Sequence, residues 1–226
     1  MEMIMLNKDC QIFDDLMDLT AVLKRNIPFI EPELLTEMKT HAKHVSVPTQ
    51  TLILDEGAYV GSFPLVLSGN VRVFIRHEDK ELLLYYIRPG ESCIMSFAAC
   101  IRSTQSEVAA LTETESELLL IPADHLSRWM HKYPSLGNFL LQVYHKRYLD
   151  LLQTVEQFVF WKLEDRLAHY LQEKSHITGA RELHTTHQQI AMDLGSSREV
   201  ISRLLRKLET SGKILTGRNR ITIQSS

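Results

Sequence analysis

The densest run of chemically capable side chains is TTHQQIAMDLGSSREVISRLLRKLETSGKI, residues 185–214. Arg198, Glu199, Ser202, Arg203 and Arg206 recur at spacings that a helix gathers onto one side, while Val200, Ile201, Leu204, Leu205 and Leu208 fall on the other. An arginine fork can take guanine O6 and N7 together, a glutamate accepts from cytosine N4, and a serine hydroxyl bonds a base or a phosphate. Such a face suits the major groove of double-stranded DNA. A solvated amphipathic helix would carry similar charges, so the flanking elements have to decide between the two.

Those elements form a set. Thr186 is placed to N-cap a first helix whose apolar face is Ile190, Ala191 and Leu194, with His187 and Gln188 beside the cap as further candidate DNA contacts. Gly195 supplies a sharp turn, and Ser196 or Ser197 caps the second helix. In KILTGRNRITIQ, two β-rich runs flank Gly217 to Arg220, which predicts a wing whose Arg218 and Arg220 suit phosphates.

Upstream, Pro134 fits the first position of a long helix running to about Val159. Along it Leu141, Tyr144, Tyr148, Leu151, Val155 and Phe158 recur at alternating intervals of three and four, a heptad seam. The seam predicts a homodimer interface, with packing on the chain's own strands as the alternative. Leu140, Val143 and Leu152 are placed for a contact of that second kind. A further helix is expected from Trp161 to Glu173, with Leu163, Leu167, Ala168 and Leu171 buried, before Gly179 breaks the chain.

Earlier in the chain the period is two. Val45 and Val47, Leu52 and Leu54, and Val71, Val73 and Ile75 alternate with polar residues, and Gly57, Gly69 and Gly90 mark turns. Strands continue through Glu81 to Ile87 and Val108 to Ile121, which predicts a small antiparallel barrel or roll over residues 44–122, preceded by a helix over Pro28 to Ala42. The expected class is α+β: an N-terminal antiparallel β-roll with its helix (1–133), a dimerisation helix (134–159) and a C-terminal winged helix-turn-helix (160–226).

Composition agrees. The net charge of −3 divides unevenly, since residues 160–226 hold 11 Lys and Arg against 7 Asp and Glu, leaving 14 against 21 elsewhere. A basic module joined to an acidic one fits a polyanion faced by the C-terminal part alone. No segment approaches the ~20 apolar residues of a membrane-spanning helix, and the N-terminus lacks the marks of an export signal, so a cytoplasmic protein with no membrane partner is expected. No nucleophile elbow, P-loop, HExxH or dinucleotide fingerprint points to an enzyme.

The glycine-punctuated strands (DEGAYV, LSGNVRVF, RPGES), the long helix and LGSSREVISRLLRKLETSGKI together resemble the cyclic-AMP receptor protein and fumarate-nitrate-reduction (Crp/Fnr) regulator family over nearly the whole chain. The resemblance implies a cyclic-nucleotide-binding-like sensor roll, a coiled-coil dimer and a winged helix reading a palindromic operator, with RNA polymerase as a further partner. Arg198 and Arg203 match the family's DNA-contacting arginines, and Glu199, Ser202 and Arg203 look like the branch that reads TTGAT-type half-sites. A cyclic-nucleotide-binding signalling module acting through protein contacts is the alternative function.

The input is less defined. Gly90 and Glu91 match the family's ribose-binding turn, but the position of its phosphate-binding arginine falls on Ser106. Arg102 and Ser103 offer a substitute pair in a loop longer than that of the cyclic-AMP receptor, and loss of a fixed cation argues against cyclic AMP. Only Cys10 lies where the iron–sulfur branch needs a cluster of cysteines, which argues against such a centre. Cys93 and Cys100 are a candidate redox pair if the fold brings them together, with two ordinary thiols as the alternative. The ten histidines are scattered and predict no metal site. His184 and His187 sit at helical spacing where nearby phosphates would account for them, and His77 reads as an exposed turn residue.

Overall fold

The computed structural model describes residues 11–12, 19–27, 30–78 and 80–224. Cys10 and Pro28 lie outside them. Among the described residues the strands are β1 (Gln11–Ile12), β2 (Lys43–Val47), β3 (Leu52–Leu54), β4 (Ser62–Ser68), β5 (Val71–His77), β6 (Lys80–Ile87), β7 (Ala109–Thr112), β8 (Ser116–Pro122), β9 (Glu182–His184), β10 (Ile214–Gly217) and β11 (Arg220–Ile223). The helices are α1 (Leu19–Asn26), α2 (Pro32–His41), α3 (Ile94–Arg102), α4 (Ala123–Lys132), α5 (Pro134–Phe160), α6 (Leu163–Thr178), α7 (His187–Asp193) and α8 (Arg198–Thr210). They form two compact units, Met1–Ile75 with Leu84–Leu151, and Arg76–Leu83 with Leu152–Ser226.

The first unit is built on two four-stranded sheets, in the orders β1-β2-β8-β4 and β3-β7-β5-β6. Alternation in β2 sends Val45 and Val47 inward, where they join Phe63, Leu65, Val73 and Leu118 in one core. The segment expected as strand from Val108 to Ile121 is two strands, β7 and β8, each antiparallel to its neighbours. Gly69 turns β4 into β5 with φ +77, and a Cβ there would lie 2.2 Å from the Glu115 carbonyl oxygen. Only glycine fits.

The helix expected from Pro28 begins at Pro32, which occupies its first turn and needs no N–H partner. Glu37 of α2 accepts from the Trp129 indole, the Lys132 ammonium and the Tyr133 hydroxyl around α4. Lys132 first, then Tyr133, holds the Glu37 carboxyl down to about 2. α3 occupies the stretch expected as a longer loop. Its N-cap is Cys93, whose sulfur accepts from the Ser96 N–H, and it closes on Ser103 in the left-handed region.

α5 starts at Pro134 as expected. Leu140 and Val143 are buried in the first unit's core. Leu152, expected to share that contact, is 48% exposed in the second unit, a correction that follows from its falling beyond the first unit's last residue.

The second unit has its own core, in which Leu167, Tyr170 and Leu171 of α6 meet Ile190 and Ala191 of α7, Ile201, Leu205 and Leu208 of α8, and Ile214 and Ile221 of the small sheet. α6 starts at Leu163 rather than Trp161, and Ala168 is only half-buried. Gly179 ends it in the left-handed conformation with φ +66. Beneath α7 the buried Asp193 accepts from the Tyr170 hydroxyl at 2.6 Å and the Gln189 amide at 2.9 Å. Hydrogen-bonded in this way, the carboxyl can sit in a core.

Candidate nucleic-acid interface

The helix-turn-helix is assembled by local chemistry. The Thr186 hydroxyl accepts from the Gln189 N–H at 3.0 Å and starts α7. Leu194 ends it, and Gly195 follows with φ +61. The Ser196 N–H then reaches the Ala191 carbonyl at 2.8 Å, and Ser197, rather than Ser196, caps α8 by accepting from the Val200 N–H.

With Ile201, Leu205 and Leu208 buried, α8 exposes Arg198, Glu199, Arg203 and Arg206. Ser202 lies half-buried among them, its hydroxyl 2.8 Å from Nδ1 of His187. Burial first, then the positive charges of Arg198 and Arg206, lowers the His187 pKa below the usual imidazole range. The Glu199 carboxyl is held down by its own backbone N–H and then by Ser197, so it faces outward ionised. Thr186, Gln188 and Ser197 are exposed and Ser196 is half-buried.

Strands β10 and β11 pair antiparallel from Ile214 with Ile223 to Gly217 with Arg220, and β9 adds a third strand. The tip carries exposed Arg218 and Arg220, with Asn219 at φ +56 closing the turn. Glu209 of α8 holds β10 just before the wing's tip by accepting from both the backbone N–H and the hydroxyl of Thr216. Neither this tie nor the His187–Ser202 link is visible in spacing alone. Asp193, interrupting the apolar face of α7, is the one sequence signal that a buried network lies beneath. His184 belongs to β9 and points into solvent, apart from His187 on α7, so the helical spacing expected of the two does not form.

The six seam residues of α5 are all exposed on this chain, from 41% at Phe158 to 67% at Leu141. Arg166 covers one face of Phe158, its guanidinium carbon 3.6 Å from the ring centroid.

The four residues expected to hold an effector do not converge. Gly90, with φ +84, and Glu91 precede α3, whereas Arg102 and Ser103 end it, about 13 Å of helical rise away. Arg102 and Ser103 are exposed, and Ser106 turns inward to bond Val108. The Glu91 carboxylate is taken by Lys146 and by Arg147 of α5. Arg147, 3% exposed, also reaches the Tyr86 carbonyl and Asp150, and packs on the Tyr85 ring. The cavity inside the roll is lined by other residues, among them Ile53, Val66, Ile87, Cys93 and Ser96, with room for about one water. The proposed redox pair is also corrected. Cys93 and Cys100 lie seven residues apart along one helix, roughly 10 Å, where a disulfide spans at most about 7 Å between Cα atoms. Burial pushes the Cys100 thiol up to about 12, so it stays protonated and unreactive at neutral pH. Among the described residues no group of three or more His, Cys, Asp or Glu is placed to hold a metal ion, and no helix is long and apolar enough to cross a membrane.

Residues 165–225 match the Crp-like helix-turn-helix domain family, and residues 44–133 match the cyclic nucleotide-binding domain family. The chain belongs to the Crp/Fnr family of transcription regulators. It is 28% identical to the CRP-like protein Clp of Xanthomonas campestris pv. campestris, across 85% of this chain and 91% of the relative. A Crp/Fnr-family structure from Eubacterium rectale superposes with a TM-score of 0.80 at 29% identity, covering 89% of this chain and 95% of that one. The Xanthomonas campestris regulator CLP, described as c-di-GMP responsive, shares the fold with a TM-score of 0.73 at 24% identity, covering 87% and 100%. The α+β class and the function as a DNA-binding transcription regulator follow from these likenesses together with the helix-turn-helix and wing.

Proposed function

We propose that this Crp/Fnr regulator binds a palindromic operator as a homodimer, inserting α8 of each copy into successive major grooves. The observation that carries the reading is the composition of α8: apolar residues buried on one face, and Arg198, Glu199, Ser202 and Arg203 presented on the other. These four read bases. Thr186, Gln188, Ser196 and Ser197 at the two helix starts, with Arg218 and Arg220 on the wing, contact the backbone, while His187 acts at the interface through Ser202. Leu141, Tyr144, Tyr148, Leu151, Val155 and Phe158 form the dimer seam, which spaces the recognition helices by one turn of DNA, ~34 Å. The protein works in the cytoplasm and recruits RNA polymerase from the bound operator.

Its input acts at the roll. The match to cyclic nucleotide-binding domains and the c-di-GMP response of the Xanthomonas relative support an anionic nucleotide effector. Arg147 and Lys146, which already hold a carboxylate, are better placed to take its phosphate than Arg102.

Fluorescence anisotropy on a TTGAT-type palindromic duplex against a scrambled one, at fixed salt and with or without cyclic AMP or c-di-GMP, tests the reading. Preference for the palindrome is expected, and Arg203→Ala is expected to weaken it by about 1 to 3 kcal/mol while relaxing preference at one base pair. Unchanged affinity and preference in that variant would overturn the assignment of α8.

A further inference from the structure

On the outward face of α8, Ser202 is tied by its side chain to the preceding helix, α7. It stands one turn after Arg198 and one turn before Arg206, half-buried, with its Oγ 2.8 Å from Nδ1 of His187 at the start of α7. The geometry points to His187 as a specificity-determining positioning residue that fixes the direction of the Ser202 hydroxyl and thereby the base it selects. The inference rests on α8 being the helix that enters the major groove.

A free serine hydroxyl rotates, donating to one base and accepting from another, and so discriminates weakly. His187 removes that freedom. Burial and the neighbouring Arg198 and Arg206 cations keep the imidazole neutral near pH 7, with one nitrogen donating and one accepting. In the Nε2–H form, the commoner tautomer of a free imidazole, Nδ1 accepts the Ser202 proton. The serine oxygen then offers the groove only lone pairs. Major-groove edges that donate to an acceptor are the amino groups of adenine N6 and cytosine N4, whereas guanine and thymine offer acceptors there. His187 therefore makes Ser202 a selector for an amino-bearing base on the contacted strand. A phosphate contact by His187 would instead strengthen every sequence alike.

The test uses the full-length protein and a set of operators changed one base pair at a time. Ser202→Ala locates the position that Ser202 reads, and wild-type protein is expected to prefer adenine or cytosine there. His187→Ala is expected to flatten preference at that same position by roughly three- to tenfold, leaving other positions and the salt dependence unchanged. His187→Asn, whose Oδ1 can stand where Nδ1 stands, is expected to restore it. Three results would overturn the inference: preference for guanine or thymine, a His187→Ala profile equal to wild type, or a uniform loss of affinity with a shallower salt dependence. Failure of wild-type protein to prefer any operator would instead remove the underlying reading of α8, and this inference with it.

Discussion

Gly195 and Gly69 both adopt positive φ, yet they differ in what surrounds them. A Cβ on Gly195 would meet its nearest atoms, on Leu82 and Phe158, at 3.8 Å, an ordinary contact, whereas one on Gly69 would overlap the Glu115 carbonyl. Gly195→Ala is therefore expected to cost only the left-handed backbone, about 1 to 2 kcal/mol, as a lower urea midpoint with unchanged slope. A larger loss, or a changed slope, would mean that the turn itself is remodelled. The Gly195 turn was legible in the sequence because its chemistry is local, as was the Thr186 cap, whereas two adjacent serines, Ser196 and Ser197, were equally placed to cap α8. The His187–Ser202 link and the Tyr170–Asp193 bond join positions 15 and 23 residues apart and leave no periodic trace. The same holds for Glu91, whose family likeness suggested a ligand contact but whose partners lie 55 and 56 residues away.

At the scale of elements, the regular patterns were readable and the irregular ones were not. α5 and α8 repeat their apolar residues cleanly. β4 does not, because SFPLVLS is an almost unbroken apolar run and its Pro64 argues against a strand. The order β1-β2-β8-β4 puts it at a sheet edge, where a missing N–H is tolerated. α3 escaped for a different reason: the family likeness suggested a loop, and the helix that fills it carries the candidate arginine away from Glu91. The clasp between α2 and α4 offers a test at this scale. The Glu37 carboxyl ionises near pH 2 in the fold and near 4.5 as an ordinary carboxyl. Its contribution to stability is thus complete above about pH 4.5 and is lost as pH falls toward 2. Glu37→Gln is expected to be less stable than wild type at pH 7, with the difference shrinking through this window in urea titrations. A difference independent of pH would assign the loss to packing rather than ionisation.

For the whole molecule, the proposed dimer turns on the apolar seam of α5. Six large side chains there lie 41% to 67% exposed on a single copy. Leu151, near the seam's centre, is the position at which a charge would be hardest to accommodate against a second copy. Leu151→Glu is expected to give monomers by light scattering and to lose most operator affinity, since one half-site alone would be held. A variant that stayed dimeric with full affinity would place the interface elsewhere.

The carboxylate of Glu91 is, in effect, a ligand that the protein carries for itself. Joined to the same chain as Lys146 and Arg147, it presents itself to those cations at a high effective concentration that dilution cannot lower. A soluble anion binding there must win an exchange rather than fill a vacancy. Its apparent affinity is then its intrinsic affinity reduced by the fraction of molecules in which the tether has let go. If the proposed anionic input binds there, the threshold for response is set by the grip on Glu91, and a loosened grip would lower it without any change in the ligand's own contacts.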